Sequence, residues 1–245
     1  MNQEDKNISV NLYHDGIGKV QLIQSMGTDK TIVRSARVSF GKDESGEELT
    51  ERDTKLVDYL IRHKHTSVFE HNMVTFKFVV PLFVRSQHHR HRTWSYNEIS
   101  RRYTEKNLQF YEPKEFRTQH KSNRQASNTE LINPWVEEPE QWIQGRRVED
   151  LVKGHHEDCV NVYNKMMELG VCREQARGVL PQNLYTEYYG TTSLLNALKF
   201  IDLRDHEGAQ YEIRVVAKAM NEILTDLYPI TMAAYNRVKE ERNNK

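Results

Sequence analysis

Between Asn72 and Pro81 the chain reads NMVTFKFVVP, and no other stretch restricts the fold so sharply. Val74, Phe76, Phe78 and Val80 alternate with Met73, Thr75, Lys77 and Val79, the two-residue period of a strand with one strongly apolar face. Such a face must be covered by other elements. Pro81 ends the strand and suits the first turn of a helix, where its missing N–H costs nothing. The window that follows, RSQHHRHRTWSYNEISRRY from Arg85 to Tyr103, is therefore expected on a helix leaving a strand and continued by a loop.

Around this strand the elements are mostly helical. KVQLIQSM reads as a short strand, and GTDKTIVRSARVSF as a turn and short helix with Ile32, Val33 and Ala36 on one side. After the acidic loop GKDESGEE, Thr50 and Asp53 form an N-terminal capping pattern, and Leu56, Val57, Leu60 and Ile61 make the buried face. From Glu112 to about Asp150 periodicity is lost, which predicts a long polar surface excursion. The last third is mostly helical. One helix carries Leu151, Val152, Cys159, Tyr163, Met166 and Met167 and is closed by Gly170. Others are expected near 173–179, 191–203 and 210–227, the last with Ile213, Val216, Met220, Ile223 and Leu227 on one face. No repeat or linker divides residues 1–245. The expected fold is α/β, of the α+β type: a single domain with a mainly antiparallel sheet packed by helices.

Composition narrows the function. The 245 residues carry 35 Lys plus Arg against 35 Asp plus Glu, so no global field favours nucleic acid or an anionic membrane. An apolar fraction of 37% points to a modest core that shares buried surface with a partner subunit. No apolar run approaches the roughly 20 residues of a spanning helix. The N-terminal MNQEDKNISVNLYHD lacks the apolar centre of a signal peptide, and a cytoplasmic setting is expected. The two cysteines, Cys159 and Cys172, form no C-x-x-C pair and are read as structural.

Glycine signatures are missing too. DGIGKV is only G-x-G, and neither a P-loop nor G-x-S-x-G occurs, so a bound nucleotide must be held by side chains and helix ends. His63, His65, His71, His88, His89 and His91 invite a metal reading, but no H-E-x-x-H spacing supports it and no metal is expected. Arg90, His91 and Arg92 place consecutive donors on different sides of the chain, and Ser100 with Arg102 sets a hydroxyl beside a guanidinium, a grip suited to phosphate. Glu98 either pairs with Arg102, four residues on, or accepts from a sugar or base. A salt-bridged surface helix remains an equal alternative at this point. Trp94, Tyr96 and Tyr103 would suit an RNA-stacking surface, against which the balanced charge speaks. Arg177 and Arg204 lie among apolar residues, where an unpaired arginine is costly. Together these cations suit a mononucleotide phosphate and a base that must carry negative charge.

RHRTWSYNEIS, an R-H-R, seven residues and S, followed by Arg102, resembles the signature of the flavin-dependent thymidylate synthases. The resemblance extends through RSARVSF, HKHTSVFEHNMVTFKFVVPLFVRSQ, ARGVLPQNLYTEYY and LRDHEGAQYEIR. It implies a homotetramer with active sites shared between subunits. The implied reaction converts dUMP to dTMP, with methylenetetrahydrofolate as one-carbon donor and NADPH reducing a tightly bound FAD. This family holds FAD without a glycine fingerprint and uses no cysteine nucleophile. The resemblance places Gln87, Arg90, Glu98, Ser100, Arg101, Arg102, Arg177 and Arg204 at the dUMP, with His88, His89 and Ile99 among them. It places Ser39, His65, Ser67, Glu70, Arg90, His91, Arg92, Asn97 and Glu98 near the FAD, and extends that set to Ser193, Leu195 and Lys199. Arg204 is implied to stabilise the uracil ring as an anion, the one catalytic role assigned. Ser100 lacks an adjacent base and is assigned to phosphate rather than to nucleophilic attack. The chain departs from the pattern at Arg101, where glycine is usual, at Gly208, where a histidine is usual, and at Ser193, Leu195 and Lys199, where the usual asparagine and arginine are replaced. The excursion, with Arg117, Lys121 and Arg124, is open between a lid or folate or nicotinamide contact and a solvated loop.

Overall fold

The computed structural model describes residues 8–39, 41, 48–100, 102, 108–124, 126–137 and 145–243. Strands β1 (Ser9–Asn11) and β2 (Lys19–Met26) lead into helices α1 (Asp29–Val38) and α2 (Glu51–Arg62). Strand β3 (Met73–Pro81) passes directly into α3 (Leu82–His88), and β4 (Ser95–Glu98) follows. The excursion holds β5 (Phe116–Gln119), β6 (Ser127–Ile132), β7 (Trp135–Val136) and β8 (Arg146–Arg147). The remainder is α4 (Val148–Glu168), α5 (Arg173–Ala176), β9 (Tyr185–Ser193), α6 (Leu194–Arg204), α7 (Tyr211–Leu227) and α8 (Pro229–Asn243).

One sheet organises the chain, in the order β1-β2-β3-β9-β4, with antiparallel pairing throughout. Val74, Phe76, Phe78 and Val80 are each at most 1% exposed, so the alternation of NMVTFKFVVP faces the core as the sequence predicts. Helix α7 packs on β1, β2 and α3, and α6 packs on β9. Helix α8 lies against α2 and α7, and its first turn is fixed by Asp29, which accepts the N–H groups of Ile230 and Thr231 at 3.0 Å each. The capping pattern at α2 forms as expected: Thr50 N–H donates to Asp53 Oδ2 at 2.8 Å, and Asp53 N–H donates to Thr50 Oγ1 at 3.4 Å. Gly170, with φ +85°, closes α4.

The expected helix from 191 is corrected at its start, because Thr191–Ser193 complete β9 and the helix begins at Leu194. Strand β9 lies next to β3, register Pro81↔Tyr185 to Met73↔Ser193. The loop expected after the basic helix includes β4, paired with β9. The helix expected near 173–179 is one α turn followed by a 3-10 turn, Arg177–Val179. The excursion is not a bare loop, since β5 pairs with β6 and β7 with β8.

Candidate active site

The basic window is divided by α3. Residues two apart on a helix point about 200° apart, and Arg85 and Gln87 accordingly serve different surroundings. Arg85 lines a cavity of about 550 Å³ together with Glu98, Ser100, Arg177, Gly178 and Thr186; Gln87 does not. Ile99, 40% exposed, lines the same cavity and donates its backbone N–H to Glu187 O at 2.9 Å.

Glu98 is held by two groups on one oxygen. Thr186 Oγ1 donates to its Oε1 at 2.6 Å, and Arg85 Nε lies 3.2 Å from the same atom. The alternative pairing with Arg102 is not formed. Arg102 Nε lies 4.0 Å from Glu174, and the Arg102 backbone N–H donates to Ser100 Oγ at 3.3 Å. Ser100 and Arg102 are thus tied, but through the backbone. Arg177 is exposed on its 3-10 turn, which corrects the expectation that it is embedded among apolar side chains. Arg101 and Tyr103 lie outside the described residues.

On the other side of α3, Arg204 ends α6, where the helix C-terminus favours a cation. Its Nε donates to His91 Nε2 at 3.1 Å and its Nη2 to the backbone oxygen of Gln87 at 3.4 Å. Burial, and then the Arg204 charge, push the His91 imidazole down to about 4, so the ring is neutral and accepts from the guanidinium. Burial also lowers the pKa of Arg204.

His88, expected in the substrate set, has its side chain in the core. It is 0% exposed, its Nδ1 pairs with Tyr188 Oη at 2.8 Å, and the rings of Phe78, Trp94, Tyr96 and Phe200 surround it. Its side chain is enclosed by the core and is not placed to meet a ligand. Burial holds it neutral, well below the ordinary imidazole range. His89 stacks on Tyr96 with ring centroids 4.0 Å apart. Trp94, 7% exposed, and Tyr96 belong to the same aromatic cluster, so the platform an RNA-stacking surface needs is turned inward. Among the described residues no group of three or more His, Cys, Asp or Glu could hold a metal ion. Among the described residues no helix is long and apolar enough to cross a membrane.

These neutral histidines, His88 buried and His91 half-buried, set a pH dependence. In the unfolded chain both titrate near 6.5, whereas the folded protein resists protonation, so acid favours unfolding. Stability should fall as pH drops from about 6.5 to about 4, read from urea midpoints, and His91→Gln should flatten that slope. A flat wild-type profile across this interval would show that the rings are not shielded.

The flavin set lies on the surface. His65, Ser67 and Glu70 are exposed around a turn whose Val68 and Phe69 are anchored in the core. The rings of His63 and His65 gather on Tyr59, 4.2 and 5.6 Å between centroids. Ser39 is exposed as the C-cap of α1, and Arg90, Arg92, Asn97 and Lys199 are exposed as well. The donor set fits FAD: guanidiniums, imidazole, amide and hydroxyls answer a pyrophosphate and the polar edges of rings. Leu195, 6% exposed, is a core residue, and Ser193 Oγ accepts the N–H of Asn196 at 3.4 Å as the cap of α6. Both side chains are engaged within the fold.

Sequence reasoning missed Arg85, Thr186, Gln210 and Glu212. Arg85 stood in the quoted window and could have been found there. The others meet the site only through long-range packing: Thr186 bonds Glu98, and Gln210, itself bonded to Glu212, bonds Gln87.

Comparison with known proteins places the chain in a family. Residues 21–230 match the family described as thymidylate synthase complementing protein. The flavin-dependent thymidylate synthase of Thermus thermophilus is 44% identical over 220 residues, covering 89% of this chain and 75% of that protein. The corresponding enzyme of Kosmotoga olearia is 39% identical over 218 residues, covering 89% of this chain and 90% of that protein. The UMP/dUMP methylase PolB of Streptomyces cacaoi, solved with 5-Br dUMP, superposes with a TM-score of 0.71 at 30% identity, covering 89% of this chain and 94% of that one. With a family match over most of its length and relatives this similar, the chain belongs to the thymidylate synthase complementing protein family, that of the flavin-dependent thymidylate synthases.

Proposed function

We propose that this chain catalyses the reductive methylation of dUMP to dTMP as a homotetramer, with methylenetetrahydrofolate as one-carbon donor and NADPH as reductant. The observation that carries the reading is the folding of the R-H-R-x7-S segment. It sets Glu98 and Ser100 in a cavity with Arg177, and sets His91 to orient Arg204. Ser100, Arg177 and Arg102 offer a hydroxyl and two guanidiniums to a phosphate. Arg204 offers a fixed cation to the uracil ring. His65, Ser67, Glu70, Arg90, Arg92 and Asn97 would hold FAD, which when bound supplies hydride transfer between nicotinamide and substrate.

The division at α3 supports a site shared between subunits. Glu98, Ser100 and Arg177 line the cavity, whereas Gln87 and Arg204 do not. One nucleotide meets both groups most simply when a second subunit supplies one of them. Met26, Val38 and Leu203, between 54% and 62% exposed, provide apolar surface for such contacts.

Purified protein should be yellow, or become so on reconstitution with FAD, and dUMP should perturb its flavin absorption. Failure of the protein to bind flavin, or of dUMP to change the spectrum, would remove the reading.

A further inference from the structure

Gln87 does not stand alone. Its Nε2 donates to Oε1 of Gln210, the residue before α7, and Gln210 Nε2 donates to Glu212 Oε2 at 2.9 Å. The other oxygen of Glu212 accepts from Arg117 Nη2 at 2.6 Å and from Tyr111 Oη at 3.1 Å. The Glu212 side chain is only 5% exposed, and Arg117 belongs to β5 of the excursion. A line of hydrogen bonds therefore runs from the excursion through a buried carboxylate to a residue of the substrate set.

The line has a direction. A carboxylate only accepts, whereas an amide both donates and accepts and has nearly the same shape when flipped. Glu212 therefore obliges Gln210 to turn its NH₂ inward, which turns the Gln210 oxygen toward Gln87. Gln87 must answer with its own NH₂, and its Oε1 is left to face away from the relay. One charge, balanced by Arg117, thus sets the polarity of two amides in series. The neighbouring guanidinium of Arg204, which donates to the backbone oxygen of Gln87, only donates. Gln87 and Arg204 then offer complementary groups side by side, an acceptor and a donor.

We propose that Gln210 and Glu212 are positioning residues for substrate recognition: they lock the Gln87 amide so that it presents its carbonyl oxygen to a hydrogen-bond donor of the nucleotide. The proposal rests on the reading of Gln87 as a dUMP residue. It also gives the excursion a task, since Arg117 anchors the far end of the relay.

The test uses the flavin-loaded full chain, with dUMP affinity read from the flavin spectrum. Gln210 is exposed and Gln210→Ala opens no cavity, so flavin content and unfolding midpoint should remain those of the wild type. The Kd for dUMP should rise about tenfold, the weight of one well-set hydrogen bond. In a Gln87→Ala background, adding Gln210→Ala should produce no further rise. If Gln87→Ala binds too weakly to measure, Glu212→Gln, which frees the amide to flip, should match Gln210→Ala, and the double variant should add nothing. An unchanged Kd in Gln210→Ala, or an effect that simply multiplies with that of its partner, would overturn the relay. Wild-type protein that ignores dUMP would instead remove the assignment of Gln87, a different failure.

Discussion

Replacing Arg204 with alanine should lower kcat by roughly 30- to 150-fold, the equivalent of about 2–3 kcal/mol of transition-state stabilisation. The expectation comes from how the guanidinium is held. His91 accepts from Nε and the backbone of Gln87 accepts from Nη2, so the charge is aimed before substrate arrives and need not reorganise during reaction. The neutral state of His91 is part of this arrangement, because a protonated ring would repel Arg204 instead of accepting from it. Arg204→Lys keeps a charge but has a single ammonium in place of the planar fork, so it should recover only part of the rate. The measurement is turnover of flavin-loaded protein, with flavin content and oligomeric state compared with the wild type. Turnover within a factor of two or so of the wild type would take Arg204 out of the catalytic role.

The largest expected stability effect lies beneath the same window. Phe78 is 0% exposed and packs against Tyr188, His88 and Trp94, with ring centroids 5.1, 4.7 and 6.2 Å away. Phe78→Ala should cost about 3–5 kcal/mol, the usual range for an aromatic ring lost from a packed core. Phe78→Leu, closer in volume, should lose markedly less. Denaturant unfolding of the two variants separates these outcomes, and an alanine variant within about 1 kcal/mol of the wild type would mean that the cluster repacks around the gap. The ring also limits its neighbour. A Cβ on Gly190 would lie 3.0 Å from Phe78 Cε2 and 3.2 Å from Trp94 Cε3, so a side chain there would press on both rings.

That glycine explains much of what could and could not be read in advance. Strand β3 was legible because its buried positions are Val74, Phe76, Phe78 and Val80, all apolar. Strand β9 buries Thr186, Tyr188, Gly190 and Thr192, a set that carries no hydropathy alternation even though the strand is central. Strand β4 was hidden for a related reason: its four residues, SYNE, form a strand because β9 is there to receive them. Helices with a continuous apolar stripe, such as α2 and α7, were visible from spacing alone. In the site, the charged and hydroxyl residues stood out by composition and by the R-H-R-x7-S pattern. Their pairings did not. Glu98 meets Arg85 and Thr186, and Gln87 meets Gln210, across 13, 88 and 123 positions, where local sequence carries no signal. Burial also reassigned residues that chemistry had grouped: His88 is as polar as His91, yet only His91 reaches the arginine.

Pro81 is at once the last residue of β3 and the N-cap of α3, with no loop between strand and helix. The segment proposed to grip the nucleotide is therefore a continuation of the central strand, and α3 has no hinge at its entry. Local opening draws on weakly held segments, while core strands open only at a cost near that of global unfolding. The arginines and amides that leave this corner share the rigidity of the sheet.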